Sequence, residues 1–167
     1  MNITDNVLSQ KLFDDLYYNI TETDFPWYLQ NTGVSVEGDG SFQFTHQFCN
    51  QLGNRSPFDF LMKPMYYRLG VNKLYRCKMN LTMKTKKTYE FLPLHTDFSF
   101  TDGGKKFDYN TAIFYLNTNN GYTLFEDGTK VDSIANRMVV FDGNTKHTGS
   151  THTDDDRFRF VLNINFT

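Results

Sequence analysis

The stretch Arg157-Phe158-Arg159-Phe160-Val161-Leu162-Asn163-Ile164-Asn165-Phe166 alternates strictly. Phe158, Phe160, Leu162 and Ile164 fall on one parity, and Arg157, Arg159, Val161 and Asn163 on the other. Successive strand side chains point to opposite faces, so this is a strand with one fully apolar face and one face carrying both arginines. An arginine turned into a protein core is costly unless an anion meets it. A small dicarboxylate could do so through two parallel bonds to the guanidinium. Both arginines could equally pair with Asp154, Asp155 or Asp156 at the surface, and spacing alone leaves the two readings open.

Working outward, the back half reads as short strands punctuated by turns. Candidate strands are Leu74 to Met83, Thr111 to Leu116, Tyr122 to Glu126, Thr129 to Ile134 and Met138 to Phe141. Asp102-Gly103-Gly104, Asn119-Asn120-Gly121, Asp127-Gly128, Asn136 and Asp142-Gly143-Asn144 separate them.

The front half is mixed. Leu8, Leu12, Leu16 and Ile20 recur at helical spacing, with Phe13 and Tyr17 beside the stripe. Ser41 to Phe48 alternates Phe42, Phe44 and Phe48 with polar residues and predicts a strand. Ser56-Pro57-Phe58-Asp59 predicts a helix start: Ser56 caps, Pro57 suits the first turn, and Asp59 sits well near the helix dipole. Gly70 is the expected stop, and Pro64 should kink or split that helix.

Helices first and strands afterwards predict an α+β, mainly β domain whose core is a jelly roll, with the N-terminal helices packed on one sheet. Residues 1–167 are read as one domain. Residues 1–72 form a supporting region of helix and strand, and 73–167 the jelly-roll core with the active site.

The bulk properties agree. An aromatic fraction of 17% favours an aromatic-rich β core over disorder. The net charge of −2 and the lack of a basic stripe make nucleic acid an unlikely partner. Cys49 and Cys77 provide neither a disulfide framework nor a C-x-x-C metal site and are read as reduced thiols. Met1 to Gln10 lacks the basic start and apolar run of a signal peptide, and no apolar run reaches membrane-spanning length. The expected location is cytoplasmic, in a bacterial or phage-infected host cell.

The chemistry-bearing motif is His95-Thr96-Asp97. On an extended segment His95 and Asp97 share a face while Thr96 points away. A third ligand must come from elsewhere. His147 follows an apolar strand and a turn, where a barrel rim can present a ligand; His152 lies in the polar stretch Thr151 to Asp156, read as an exposed loop. Two imidazoles and a carboxylate can hold one face of a ferrous ion and leave the opposite face open. The same three ligands would also suit zinc, and an H-x-D triplet alone favours ordinary surface or loop residues.

Taken together, the back half resembles the 2-oxoglutarate- and Fe(II)-dependent dioxygenases, most closely their prolyl-hydroxylase-like branch of small bacterial and phage enzymes. The likeness runs from about Arg76 to Phe166. It is carried by His95-Thr96-Asp97, Ile113-Phe114-Tyr115-Leu116-Asn117, Gly121-Tyr122-Thr123-Leu124-Phe125, Asn136-Arg137-Met138-Val139-Val140-Phe141, His147 and Arg159-Phe160-Val161-Leu162-Asn163. One departure is Asn120, which stands where the family's first glycine of a Gly-Gly pair would be.

The resemblance implies a double-stranded β-helix and iron held by His95, Asp97 and His147. It implies 2-oxoglutarate held by Arg159 and Tyr115, with Asn80 as a further contact. Arg157 is the alternative arginine, because it lies 10 residues after His147, the usual family spacing, whereas Arg159 lies 12 after it. It also implies O2 as co-substrate, succinate and CO2 as products, and ascorbate as a candidate reductant. The iron centre does the chemistry, with no separate acid or base residue.

The expected activity is hydroxylation of a peptidyl substrate, prolyl included, or of a small molecule. A nucleic-acid demethylase of the same superfamily and a non-catalytic jelly-roll module binding a ligand or protein are the competing readings. The loops Phe98 to Asp108 and Thr85 to Leu92 are each either a lid or mouth of the site or a plain connection.

Overall fold

The computed structural model describes residues 1–31, 42–97 and 108–167, and the backbone of 101–102 and 105–106. The chain runs β1 (Asn2–Thr4), α1 (Gln10–Thr21), β2 (Tyr28–Gln30), β3 (Gln43–Cys49), a 3-10 segment (Pro57–Met62), α2 (Lys63–Leu69), β4 (Leu74–Met83), β5 (Thr101–Asp102), β6 (Lys105–Lys106), β7 (Asn110–Tyr115), β8 (Tyr122–Phe125), β9 (Lys130–Asp132), β10 (Arg137–Asp142), β11 (His147–Gly149) and β12 (Phe158–Phe166). Among the described residues seven strands form one antiparallel sheet in the order β1-β10-β7-β12-β4-β3-β2. A smaller antiparallel sheet has the order β11-β8-β9, and β5 pairs with β6 as a short ribbon.

The large sheet is covered on both faces, and residue parity decides which side chain goes where. On the outer face, Cys77, Met79 and Leu81 of β4, Ala112 and Phe114 of β7, Met138 of β10 and Phe160, Leu162, Ile164 and Phe166 of β12 join Leu16, Ile20, Met62 and Met65 from the helical segments in the main core. The other parity faces the small sheet. There Ile113, Tyr115, Val139, Phe141 and Val161 close on Phe125 and Val131. This is the jelly roll that the order of helices and strands predicts, the double-stranded β-helix that the resemblance implies, with helices on one sheet. The register is continuous across the centre, where Val161 stands opposite Tyr115 on one side and Asn80 on the other.

Local signals behave as their chemistry dictates. The Ser56 hydroxyl accepts from the Phe58 amide at 3.1 Å. Pro64 splits the expected helix into the 3-10 segment and α2, taking a first-turn position where its missing N–H costs nothing. Gly70 ends α2 with φ 63°, the left-handed cap for which glycine is suited. Asp59 does more than face a dipole: it is buried and accepts from Arg55 at 2.5 Å and from the Tyr66 hydroxyl at 2.7 Å.

Several expectations need correction. Leu12 is 43% exposed. Residues four apart advance about 400° around a helix, so a pure i, i+4 stripe drifts by about 40° per step. Phe13 turns inward in its place and meets the Phe114 ring at 6.3 Å. His152 is fully buried, not on an exposed loop. Its Nε2 reaches the Asp156 carbonyl at 2.9 Å, and its own carbonyl accepts from the Thr85 amide, so the polar stretch folds inward over it.

Strands β1, β2 and β11 were not foreseen. β1 is fixed on β10 with help from Asn136, whose side chain bonds both the amide and the carbonyl of Leu8 at 2.9 and 2.8 Å. Of the loop Phe98 to Asp108, residues 98–100, 103–104 and 107 lie outside the described residues, as does Ser41 of the expected strand Ser41 to Phe48.

His46 is buried on β3 among Phe25, Phe48 and Phe58. Its Nδ1 meets the Pro26 carbonyl at 2.8 Å, and its Nε2 meets the Ser56 hydroxyl at 2.8 Å. A neutral ring satisfies both contacts, with Nδ1–H donating and Nε2 accepting. Burial lowers its pKa below the ordinary 6.5, against the pull of the Pro26 carbonyl. The unfolded chain therefore takes up this proton first. The stabilisation is complete above the unfolded value and is lost as pH falls through it toward the folded one. Urea unfolding at about pH 7.5 and about pH 5.5 should show a smaller acid-side loss in His46→Gln than in the parent protein. Equal losses would mean that His46 does not carry this dependence.

Candidate metal and co-substrate site

A cavity of about 300 Å³ opens between the two sheets. Its walls include Arg76, Lys78, Asn80 and Thr82 from β4, His95 and Asp97 from the segment after it, His147 and Gly149 from β11, and Arg159, Val161 and Asn163 from β12. Each β4 residue is one place removed from an outward-packed Cys77, Met79 or Leu81, so the same alternation that builds the core lines the cavity with polar groups.

The small sheet brings the histidines together. His95 pairs with His147 as an isolated bridge, with reciprocal backbone bonds of 3.0 and 2.9 Å and ring centroids 5.5 Å apart. His147 sits against Phe141 at 4.9 Å, and its Nδ1 meets the Thr145 carbonyl at 3.1 Å. That bond fixes the ring and leaves Nε2 as its lone-pair nitrogen, the usual arrangement of a metal-binding imidazole. Among the described residues the buried Nδ1 of His95 has no partner. Burial, then the neighbouring His147, lowers the His95 pKa against the pull of Asp97, which favours the neutral ring that a metal needs.

Asp97 lines the same cavity but is held from the other side. One carboxylate oxygen meets Arg76 at 2.7 Å and the other accepts from Asn165 at 2.8 Å. Burial alone would raise its pKa. The Arg76 charge, His147 and the two hydrogen-bonding partners outweigh that and keep the carboxyl well below the usual range. Among the described residues, no three His, Cys, Asp or Glu side chains are drawn together as a formed metal cluster. Each carboxylate oxygen has a second lone pair, so Asp97 can keep its partners and still meet a cation. The donor chemistry of His95, Asp97 and His147 fits a ferrous ion on these terms.

At the other end, Arg159 is 4% exposed. Its Nε donates to the Ser133 hydroxyl at 2.8 Å and one terminal nitrogen donates to the Tyr122 carbonyl at 3.2 Å. Among the described residues no carboxylate pairs with it. Burial pushes its pKa down to about 10, partly countered by Tyr115. A fully buried guanidinium with only neutral partners costs several kcal/mol unless an anion joins it.

Tyr115 lies beneath this group, its ring centroid 5.7 Å from the guanidinium carbon. Its hydroxyl donates to Thr123 at 2.8 Å, and it is Thr123 that reaches the cavity wall. Asn80 faces the cavity with a buried Oδ1 that has no partner among the described residues. Arg157 is exposed, precedes β12 and does not line the cavity. His152 does not line it either.

Arg76, Lys78, Thr123, Ser133 and Asn165 were not singled out in the sequence. Only the parity of β4 could have pointed to Arg76 and Lys78; Ser133 and Asn165 carry no local signal. Gly121 has a clear physical reason. A Cβ there would stand 2.8 Å from Arg159 Cδ and Nε and 2.9 Å from Asn119 Oδ1, so only glycine lets the arginine pass. Asn120, the departure from the glycine pair, is bound from its amide to Asp154 at 2.7 Å and from its side chain to Thr153 at 2.8 Å, and so fastens the loop before β12.

No family model matches this sequence, and no curated protein does. Solved structures do. A viral collagen prolyl hydroxylase from Paramecium bursaria Chlorella virus-1, bound to 2OG, is 17% identical, with a TM-score of 0.60 over 99% of this chain and 96% of that one. A Pseudomonas putida prolyl-4-hydroxylase is 18% identical, with a TM-score of 0.60 over 99% and 90%. A prolyl hydroxylase from Trichoplax adhaerens, in complex with a hypoxia-inducible-factor peptide, is 12% identical, with a TM-score of 0.63 over 99% and 82%. The fold is therefore that of the 2-oxoglutarate- and Fe(II)-dependent oxygenases, as the sequence resemblance implied. Within that fold, this chain is similar over nearly its whole length to prolyl hydroxylases.

Gly121→Ala should cost about 1–3 kcal/mol, the range for forcing an extra methyl into a packed site. The check is the urea midpoint at constant slope. An unchanged midpoint would mean that Arg159 moves aside freely.

Proposed function

We propose that the chain is an Fe(II)- and 2-oxoglutarate-dependent dioxygenase that hydroxylates a peptidyl substrate, prolyl included, or a small molecule. The observation that carries this reading is the single cavity: a buried, anion-seeking Arg159 at one end and His95, Asp97 and His147 at the other. A non-catalytic binding module has no need of both.

In this reading, His95, His147 and Asp97 hold the metal. The rings are oriented by the His95–His147 backbone bridge and the Thr145 carbonyl, and the carboxylate by Asn165 and Arg76. Arg159 takes the distal carboxylate of the co-substrate, with Ser133 and the Tyr122 carbonyl fixing the guanidinium and Tyr115 supporting it from below. Thr123 and Asn80 supply neutral polar contacts along the wall. Iron and 2-oxoglutarate, when bound, supply an oxidation that places one oxygen atom of O2 on the substrate and the other in succinate, with release of CO2. The chain contributes position, charge and exclusion of water.

The peptidyl option rests on the neighbours, one of which is in complex with a peptide. Among the described residues no helix is long and apolar enough to cross a membrane.

Succinate release from 2-oxoglutarate by protein loaded anaerobically with Fe(II), on admission of air, tests the reading. Release should be lost in His147→Ala. Arg159→Ala should raise the 2-oxoglutarate KM by about tenfold or more, the cost of losing a charge-assisted pair, while Arg157→Ala leaves it unchanged. A larger effect at Arg157 would overturn the co-substrate assignment. Succinate from His147→Ala equal to that of the parent would remove His147 from the ligand set.

A further inference from the structure

The cavity contains a cation that this scheme leaves unused. Lys78 stands on β4 directly opposite Asn163 of β12 and next but one to Arg76. It lines the main cavity and also a second one of about 390 Å³, whose wall is otherwise built from Gln30, Thr45, Gln47, Asn50, Gln51, Leu52 and Arg76. Lys78 therefore sits where the two meet. Among the described residues its ammonium has no hydrogen-bond or ion-pair partner, whereas Arg76 is committed to Asp97 and Asn165. Burial, then repulsion from Arg76, lowers the Lys78 pKa to about 8 against the pull of Asp97. Two neighbours add unspent polarity: among the described residues the Oδ1 atoms of Asn80 and Asn163 are buried without partners.

Charge decides what this place accepts. Among the described residues the two cavities hold Arg76, Lys78 and Arg159 against a single carboxylate, Asp97. A ferrous ion and a 2-oxoglutarate dianion add no net charge, so three cations against one carboxylate still leave an excess of positive charge. By contact, Arg76 is paired with Asp97 and Arg159 is assigned to the co-substrate carboxylate. Lys78 remains, on the side that opens to the amide-lined cavity and away from Arg159. We infer that Lys78 receives an anionic group of the prime substrate, a carboxylate, so that the molecule oxidised at this site is an acid held by its charge. The inference rests on the oxygenase reading above and narrows its substrate class.

The test is calorimetric binding to Fe(II)- and 2-oxoglutarate-loaded protein under argon, with N-acetylglycine and its neutral amide, N-acetylglycinamide, as probes. The parent protein should bind the acid roughly tenfold tighter than the amide, the scale of one charge-assisted contact. Lys78→Met should lose that preference and Lys78→Arg should keep it. Both variants should bind 2-oxoglutarate as the parent does, which also shows that they fold. The α-amide of N-acetylaspartate, whose carboxylate lies on a side chain, separates the two sources: tighter binding than N-acetylglycine points to an acidic peptide, weaker binding to a free acid.

Equal binding of acid and amide by the parent would overturn the inference. So would a Lys78→Met variant whose main defect is in 2-oxoglutarate binding, since Lys78 would then belong to the co-substrate. Failure of the underlying reading looks different: the parent would not bind 2-oxoglutarate at all.

Discussion

The central strands of the large sheet are buried on both faces, and this constraint shapes everything else. A strand with one wet face can place polar residues there freely. Strands β7, β10 and β12 cannot, because one row of side chains meets the helices and the other meets the small sheet. Polar groups on the inner row must therefore be gathered where they can satisfy one another or a ligand. They are gathered on β4 and at the two ends of β12, and the cavity is the result. Helix packing, sheet closure and the site are thus consequences of a single alternation. A one-residue slip of β12 would send Phe160 and Leu162 into the cavity and Arg159 into the apolar core.

Buried charge is handled differently at the two ends. Around Asp97 it is neutralised within the chain: Arg76 and Asn165 meet both carboxylate oxygens, and the group stays ionised despite its burial. Around Arg159 the chain provides a hydroxyl, a carbonyl and an aromatic face, but no opposite charge among the described residues. The first arrangement stabilises a group the protein itself must keep charged. The second leaves a strong positive position without an opposite charge of the chain's own, and Gly121 leaves the room that the Arg159 side chain occupies.

Much of this was legible in the sequence. Strand-forming runs between turn residues located β4, β7, β8, β9, β10 and β12, and in β12 a period of two separated the apolar row from the row carrying Arg159. That row could have faced solvent or the interior; the structure turns it inward. What escaped it depends on contacts between distant segments. His152 looks exposed because its neighbours are polar, yet a bond to its own loop at Asp156 and one from Thr85 to its carbonyl fold it inward. Strand β1 is three residues long and owes its place to Asn136, more than a hundred positions away. Ser133 and Asn165 matter only through the side chains they meet. No local pattern could mark them.

The choice between Arg157 and Arg159 shows how the two kinds of signal differ in strength. Counting residues from His147 favours Arg157, but the count crosses a loop, and loops absorb insertions at little cost. Here that loop is fastened by Asn120, Thr153 and Asp154 and closed over His152, so its length reflects its own packing and not the distance between His147 and Arg159. Parity crosses no loop. Arg159 is two residues from Val161 and four from Asn163 within one hydrogen-bonded strand, and both of those face the cavity. For it to face outward, the register with β4 and β7 would have to break. Arg157 shares that parity but precedes the ladder, so membership of the hydrogen-bonded strand separates the two arginines; that signal is stronger than a residue count, because changing it disturbs every side chain on the strand.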